Sequence, residues 1–508
     1  MSDATRLFAG VDAGTTGVTV ALFTEDGRIA ASADRDYPCI FERPGWVEQD
    51  MDIVWRALCE ASREAMRGVS RDAVVSVGLS SQRGTFVLLD ENFRPLAPAI
   101  VWNDARATEM EAFLASRIAP ARFRAVSGMP ISASWAVAKI AWVGRHKPQL
   151  LQKTRWICNG QEYLLRLLGA AALEGDPSSL TLNGMLDIRK LHWSDEICRA
   201  AGIDMEKLPP IGQPGTRIGG VSATAAELTG LPAGAALCRG AGDQQCAAVG
   251  AGVVRQGMAE ITIGTSAMMV AHLDHPDLVS GEQTYLGAHA VPGKWDLEGG
   301  SFAIGACLQW WRDRLERPAE NGENAYAAMM AEAAKAPPGS QGIVFHPFFA
   351  GQVTPHYDAS ARGAFLGLTL RHERADLIRA MLEGCACEMR MMVDAFDQDL
   401  ASGIDQLRLT GGGTRSPFFA QIVCDVLGRP VGLLRERECS VLGAALLGAV
   451  AAGYFTDIGE AVAGMVSVSR ELEPQPQNRA VYDDLLGVFR DAYKALSASG
   501  FYHRLQGK

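Results

Sequence analysis

Asp12-Ala13-Gly14-Thr15-Thr16-Gly17-Val18-Thr19-Val20-Ala21 and Thr262-Ile263-Gly264-Thr265-Ser266-Ala267-Met268-Met269-Val270-Ala271 decide how this chain is read. Each is a small-residue turn between two apolar runs. Gly14 aligns with Gly264, Thr15 with Thr265, Thr16 with Ser266, Val20 with Val270 and Ala21 with Ala271, at a constant offset of 250 residues. One Gly-Thr match is within reach of coincidence; five aligned positions favour duplication. A repeat of that period means two similar domains rather than a solenoid. The expectation is a first domain over 1–253 and a second over 254–508, with the boundary near Ala251 to Gly257. Length agrees, since 508 residues exceed what one ordinary core supports.

Outward from the first turn, Leu7 to Val11, Val18 to Phe23 and Ile29 to Ala33 read as a three-strand meander. Met51 to Gly68 follows with helical spacing of Ile53, Val54, Leu58, Ala61 and Ala65. Val74 to Leu79 is again a strand and ends in Ser80-Ser81-Gln82-Arg83-Gly84. Strands alternating with helices predict an α/β fold. Further on, Ala336-Pro337-Pro338-Gly339-Ser340 is a loop signal, and Glu471 to Asn478 reads as a connector. Val441 to Phe455 is apolar but shorter than a membrane span, so it predicts a buried core helix. Val481 to Phe501 has helical spacing and would cap one of the domains.

Hydrophobic residues make up 48% and charged residues 21%, so there is apolar material for two cores. A net charge of −10 argues against nucleic acid or an anionic membrane as the main partner. It leaves nucleotide binding open, because a phosphate site needs local N–H groups rather than a basic protein. The 11 cysteines show no disulfide or metal spacing and predict free thiols in a reducing cytoplasm. Met1 to Arg6 is polar and runs straight into a strand pattern, so no signal peptide is expected. No metal-ligand cluster or His-based nucleophile emerges from the 9 histidines; His289, His346 and His356 read as structural.

Asp12-Ala-Gly14-Thr15-Thr16 sits at a strand end. Its glycine lets backbone approach phosphate, and its carboxylate suits Mg²⁺ held through water. An ordinary hairpin turn is the plain alternative. Gly240-Ala-Gly-Asp243-Gln244-Gln245 places another carboxylate at a strand end, where a general base for a hydroxyl belongs. Read locally, Asp243 is better explained as a cap for a helix starting at Gln244. Gly411-Gly412-Gly413 lies between a strand, Gln406 to Leu409, and a helix, Pro417 to Leu427. Three glycines there invite a nucleotide against bare backbone, though the spacing is neither Rossmann nor P-loop. Trp102-Asn103-Asp104-x-Arg106 ends the strand Ala99 to Val101, and its polar groups suit either a sugar site or a turn. Trp46 reads as a packing residue.

In order along the chain, these residues resemble the FGGY family of carbohydrate kinases, within the actin-like ATPase superfamily. The resemblance runs from about Leu7 to Tyr454. It rests on Gly10-Val-Asp-Ala-Gly-Thr-Thr16, Trp46-Val-Glu-Gln-Asp50, Ile100-Val-Trp-Asn-Asp104, Lys139-Ile-Ala-Trp142, Gly240-Ala-Gly-Asp-Gln-Gln245, Ile263-Gly-Thr265, Gly305-x-x-x-Gln309-Trp310, Gly351-x-x-x-Pro355-His356, Gly411-Gly-Gly-Thr-Arg-Ser416 and Gly443-Ala-Ala445. It implies two ribonuclease-H-like domains flanking a cleft, with ATP and Mg²⁺ as cofactors, a cytoplasmic setting, and a small sugar or polyol as partner. Relatives are often homodimers. By matching positions, Asp243 is the catalytic base and Asp12 the Mg²⁺-linked carboxylate. Gly14, Thr15, Thr16, Gly264 and Thr265 meet phosphates; Gly305, Gln309, Gly411, Gly412 and Ser416 meet nucleotide. Gln82, Arg83, Asn103, Asp104, Asp243 and Gln244 line the sugar site.

The acceptor is where the pattern departs. Glycerol kinases carry Asn-Gln-Arg-Glu where this chain has Ser81-Gln82-Arg83-Gly84, and their site tyrosine falls at Ser134. Xylulose kinases usually carry Gln-Met-His at 82–84. Trp102-Asn103-Asp104 and the segments Gly351 to Tyr357 and Gly411 to Ser416 look more like xylulose kinases, while Asp243-Gln244-Gln245 leans towards glycerol kinases. The expectation is a pentulose kinase, xylulose first, with glycerol, erythritol, ribulose or a hexulose as alternatives. A chaperone or filament-type ATPase is disfavoured by the polar loops at 82–84 and 102–106. An inactive sugar binder is disfavoured by intact Asp12 and Asp243.

Overall fold

The computed structural model describes residues 6–315 and 325–506. The polar start, Met1 to Arg6, lies outside them except for Arg6. The first sheet holds β1 (Leu7–Ala13), β2 (Gly17–Thr24), β3 (Ile29–Asp36), β4 (Val74–Ser81), β5 (Arg217–Gly220) and β6 (Ala236–Cys238) in the order β5-β6-β4-β1-β2-β3. The second holds β7 (Met258–Ile263), β8 (Ala267–Leu273), β9 (Trp295–Ser301), β10 (Gln406–Thr410), β11 (Val431–Leu434) and β12 (Val468–Leu472), in the order β12-β11-β10-β7-β8-β9, with Tyr285–Ala288 beyond β9. The orders correspond strand for strand. So do the directions: β1 runs antiparallel to β2 and parallel to β4, as β7 runs antiparallel to β8 and parallel to β10. These are the two similar domains that the duplicated turns predict, in the two-domain α/β arrangement that the family resemblance implies.

The repeat is not residue-perfect. Across the first turn Ala13 faces Val18, whereas across the second Ile263 faces Ala267. The second turn is one residue tighter, so Val20 pairs with Val11 while Val270 pairs with Glu260. The constant sequence offset therefore holds along β1 and β7 and slips by one in register beyond the turns.

Strand β1 is apolar on both faces because both are covered. Helix α1 (Met51–Ala65), begun by Asp50 accepting from the Asp52 N–H, packs on β2 and β3. Two further helices meet on the opposite face: α2 (Asp243–Gly250) and, from the second half of the chain, α3 (Cys439–Ala451), which lies on β1 and β4. Helix α3 is buried almost all round, as its uniformly apolar composition dictates. Its approach depends on glycine. A Cβ on Gly10 would lie 2.1 Å from Val441 O, one on Gly78 1.8 Å from Ala444 O, and one on Gly443 1.9 Å from Cys246 O. The helices α2 and α3 thus join the two halves in backbone-to-backbone contact.

The other boundaries shift for local reasons. Strand β12 takes in Glu471 and Leu472 from the expected connector, because Leu472 pairs with Val431. The long helix Arg479–Ala498, followed only by the short helix Phe501–Gln506, packs on the second domain through Tyr482, Leu485 and Phe489. The 11 cysteines are free, and all but Cys39 are buried. Among the described residues no helix is long and apolar enough to cross a membrane.

Candidate active site

The carboxylates converge because their strands do. Asp12 stands opposite Ser80 in the parallel pairing of β1 with β4, and the Ser80 hydroxyl donates to Asp12 Oδ1 at 2.6 Å. Burial pushes the Asp12 carboxyl up to about 7, with Asp243 and Glu438 adding to the rise and the Ser80 hydrogen bond opposing it. On the other side of β4, Ala241 and Gly242 pair with Ser80 and Ser81, and Asp243 opens α2. Asp243 is therefore the first residue of the helix, with Gly242 as its cap, rather than the cap itself. Its Oδ1 accepts from the Gln244 N–H at 2.9 Å and from Arg83 Nε at 3.3 Å. Its side chain keeps 28% exposure, and among the described residues Oδ2 accepts from no protein group. Burial raises its pKa, with the Arg83 charge pulling the other way.

Arg83 is committed elsewhere as well. Its Nη1 and Nη2 donate to Glu298 Oε1 and Oε2 at 2.7 and 2.6 Å, and Glu298 lies on β9 of the other domain. Gln245 Nε2 donates to the same Glu298 Oε1 at 2.9 Å and to Asp296 Oδ2 at 3.0 Å. Burial, then the Glu298 charge, lifts the Asp296 carboxyl well above the usual range. Gly242 is a glycine because a Cβ there would meet Arg83 Cδ at 2.3 Å.

A chain of hydrogen bonds ties the first turn to the polar loops. Trp102 Nε1 donates to Thr15 Oγ1, and Thr15 Oγ1 donates to Gln82 Oε1, each at 3.0 Å. Gln82 Nε2 then donates to Gln49 Oε1 at 2.7 Å. The Trp102 ring faces Phe302 of the second domain, with centroids 6.1 Å apart. Asp104 turns away from this side. It is 1% exposed, with Oδ2 accepting from the Val47 N–H at 2.6 Å and from Arg106 Nη2 at 2.8 Å. Its Oδ1 accepts from Arg106 Nε at 2.8 Å. Lys139 is fully buried beneath the loop and donates to the carbonyls of Val101 and Trp102 at 2.9 and 2.5 Å. Burial pushes its pKa down to about 7. Trp46 packs as expected, with the Arg106 guanidinium 3.9 Å from its ring centroid.

Among the expected sugar-site residues, the structure thus brings Arg83, Asp243 and Gln244 together. Gln82 and Asp104 are occupied in holding loops. Asn103 is exposed, and Gln244 Oε1 has no hydrogen-bond partner, so these two carry open capacity. The fork of Arg83 is taken by Glu298. Gly84 has φ +67°, a conformation that side-chain-bearing residues avoid, which fits the absence of a glutamate there.

On the other wall, Gly264 and Thr265 are exposed at the tip of the second turn. The turn rests on the helix Ile304–Arg314: the Ala306 N–H donates to Thr265 O at 2.9 Å, and a Cβ on Gly305 would lie 2.0 Å from Gly264 O. Gln309 is exposed on that helix. Gly411 has φ +78°, while a Cβ on Gly412 would meet nothing within 4 Å, so Gly412 presents bare backbone to open space. The Ser416 hydroxyl accepts from the Phe419 N–H at 3.2 Å and caps the helix Pro417–Leu427. Beneath the turn, burial raises Glu260 to about 7; its Oε2 accepts from the hydroxyls of Thr262 and Thr410, each at 2.9 Å.

Sequence reading missed Glu298 and Gln49 and left Lys139 without a role. The available signal for Lys139 was a lone charge in an apolar helical run, and for Glu298 an acid inside an apolar strand.

The model for the N-terminal domain of the FGGY family of carbohydrate kinases matches residues 7–250, and that for its C-terminal domain matches 259–452. A glycerol kinase of Gloeobacter violaceus is 32% identical over 465 residues, covering 89% of this chain and 90% of its own. A xylulose kinase of Bacillus subtilis is 26% identical over 487 residues, covering 95% and 96%. The crystal structure of a xylulose kinase from Rhodospirillum rubrum superposes with TM-score 0.87 at 30% identity, covering 98% of this chain and 100% of that one.

Proposed function

The chain belongs to the FGGY family of carbohydrate kinases, and from that premise we propose that it transfers the γ-phosphate of ATP to a hydroxyl of a pentulose, xylulose first, with Asp243 as the base. One observation carries the chemistry: a carboxylate held at Oδ1 by the Gln244 N–H and Arg83 Nε, on a side chain that keeps 28% exposure and whose Oδ2 accepts from no protein group among the described residues. An in-line transfer needs such an acceptor within reach of the attacking hydroxyl. Gln244 and Asn103, the polar groups with open capacity, would orient the sugar. Gln82 and Asp104 would act by fixing the loops that carry Trp102 and Asn103. Arg83 would meet the base rather than fork onto the sugar.

The residues fit a nucleotide and Mg²⁺. Gly412 offers backbone to open space, and the Thr15, Thr16 and Thr265 N–H groups with the Thr16 and Thr265 hydroxyls offer donors at two turns, which Gly14 and Gly264 shape by donating to Gly17 O and Ser266 O at 2.9 and 2.8 Å. Gly305, Gln309 and Gly411 would complete the nucleotide side, with Ser416 serving mainly as a cap. Asp12 has a single hydrogen-bonded oxygen, and among the described residues no group of three metal-ligating side chains stands together. That suits an ion held largely by water and phosphate. Bound there, Mg²⁺ would neutralise charge on the transferring phosphoryl oxygens. The chain's own part is positioning and electrostatics. We place the domain division at 253/254, with α3 returning across it.

The preference for a pentulose rests on Gly84 in place of a glutamate and on Trp102-Asn103-Asp104. A glycerol kinase at 32% identity keeps glycerol as the competing reading. A coupled ADP-release assay across D-xylulose, D-ribulose, hexuloses, erythritol and glycerol decides it. The expected result is the highest kcat/KM with D-xylulose. Faster turnover with glycerol overturns the acceptor assignment, and no stimulation by any polyol overturns the kinase reading.

A further inference from the structure

The group that engages Asp243 is itself held by the other domain. Arg83 and Glu298 are 215 positions apart, and their side chains are 3% and 4% exposed. A buried ion pair is a poor way to gain stability, because desolvating both charges offsets most of their attraction. This one is more elaborate than a strut requires. Glu298 accepts from both Nη atoms of Arg83 and from Gln245, which follows Asp243 by two residues on the same helix. One carboxylate of the second domain therefore fixes both the guanidinium and the helix start beside Asp243.

The guanidinium is a planar fork that matches a carboxylate bidentately. Two carboxylates compete for it, Glu298 and Asp243. With both Nη groups on Glu298, only Nε remains for Asp243, at 3.3 Å on Oδ1, and Oδ2 stays free. Without Glu298, the same fork fits Asp243 and would occupy the oxygen that must accept the proton. We propose, resting on the assignment of Asp243 as base, that Glu298 is a positioning residue for phosphoryl transfer: it holds the fork of Arg83 so that the base is oriented by one hydrogen bond and keeps an oxygen for the acceptor hydroxyl. Because β9 belongs to the second domain, the arrangement needs groups from both domains.

The test is a double-mutant cycle in the full chain, with D-xylulose and glycerol as acceptors and ATP affinity measured separately by calorimetry. Glu298→Gln should lower kcat by about tenfold or more, a part of the roughly 10²–10⁴-fold that a general base supplies, and leave the ATP dissociation constant within about twofold. In an Arg83→Ala background the same substitution should change kcat by a clearly smaller factor than in the wild-type background, because only the contact of Glu298 with Gln245 is left for it to act through. Equal losses in both backgrounds, or no loss in either, overturn the proposal. Arg83→Lys is the second variant, should Glu298→Gln fail to fold: it keeps a charge for Glu298 but lacks the Nε donor, and wild-type kcat in it also overturns the proposal. Asp243→Asn runs alongside. If it retains turnover, the base assignment fails; if it is inactive while Glu298→Gln and Arg83→Lys match wild type, only the present inference fails.

Discussion

Gly443→Ala places one methyl group where α3 crosses α2. The added Cβ would sit 1.9 Å from Cys246 O, 2.6 Å from its carbonyl carbon and 3.0 Å from its Cα. All three are backbone atoms, so no side chain can swing away. Relief requires the helices to part by about 1 Å or more, an overpacking that costs about 1–3 kcal/mol. For domains of this size each kcal/mol lowers the melting temperature by about 2–4 °C. The larger consequence is catalytic. Cys246 lies one turn beyond Asp243, so the shift is delivered to the helix that opens with the base. A displacement near 1 Å at a reacting group can cost about 10²-fold in rate. Calorimetric melting and a coupled ADP-release assay on the purified variant should show a lower melting temperature and a kcat reduced by at least about tenfold. Wild-type melting with wild-type kcat would refute the claim that the α2–α3 contact is set backbone against backbone and holds the base.

Three further substitutions separate support from contact. Asp104→Ala leaves Arg106 buried with only Glu48 as ionic partner, at 2.9 Å, and should cost about 3 kcal/mol of stability in urea unfolding; a higher sugar KM at unchanged stability would restore Asp104 to the sugar site. Lys139→Met bears on pH: the folded-state pKa near 7 lies below the ordinary 10.5, so the unfolded chain binds the extra proton between those values. Wild-type stability should therefore gain a rising contribution from about pH 7 towards 10, lost as pH falls through 7, and the variant should lack it; parallel urea-unfolding profiles across pH 7–9.5 would contradict the lowered pKa of Lys139. Ser416→Ala removes a helix cap worth about 1 kcal/mol and should leave the KM for ATP within about twofold; a tenfold rise would make Ser416 a nucleotide contact.

What the sequence could show was set by backbone pattern. The meander β1-β2-β3 and the existence of a second, similar domain follow from two Gly-Thr turns flanked by apolar runs, while the places of the remaining strands in each sheet do not. Asp12 and Asp243 were legible as strand-end carboxylates. Direction of side chains was not. Asp104 follows a strand as a sugar ligand would, yet the Val47 N–H and Arg106 draw it inward. Arg83 belongs to a polar loop, but its partner Glu298 lies 215 positions away and no local spacing could pair them. Register was hidden for the same reason, since the one-residue difference between the turns changes cross-strand partners without disturbing the aligned residues.

Asp243→Asn tests the central claim most directly. The amide keeps the shape and an oxygen for the Gln244 N–H, and removes the capacity to take a proton. In a coupled ADP-release assay with the preferred polyol, turnover should fall on the order of 10²-fold or more, while ATP affinity by calorimetry stays within about twofold. Turnover within a few-fold of wild type at intact ATP binding would contradict Asp243 as the base.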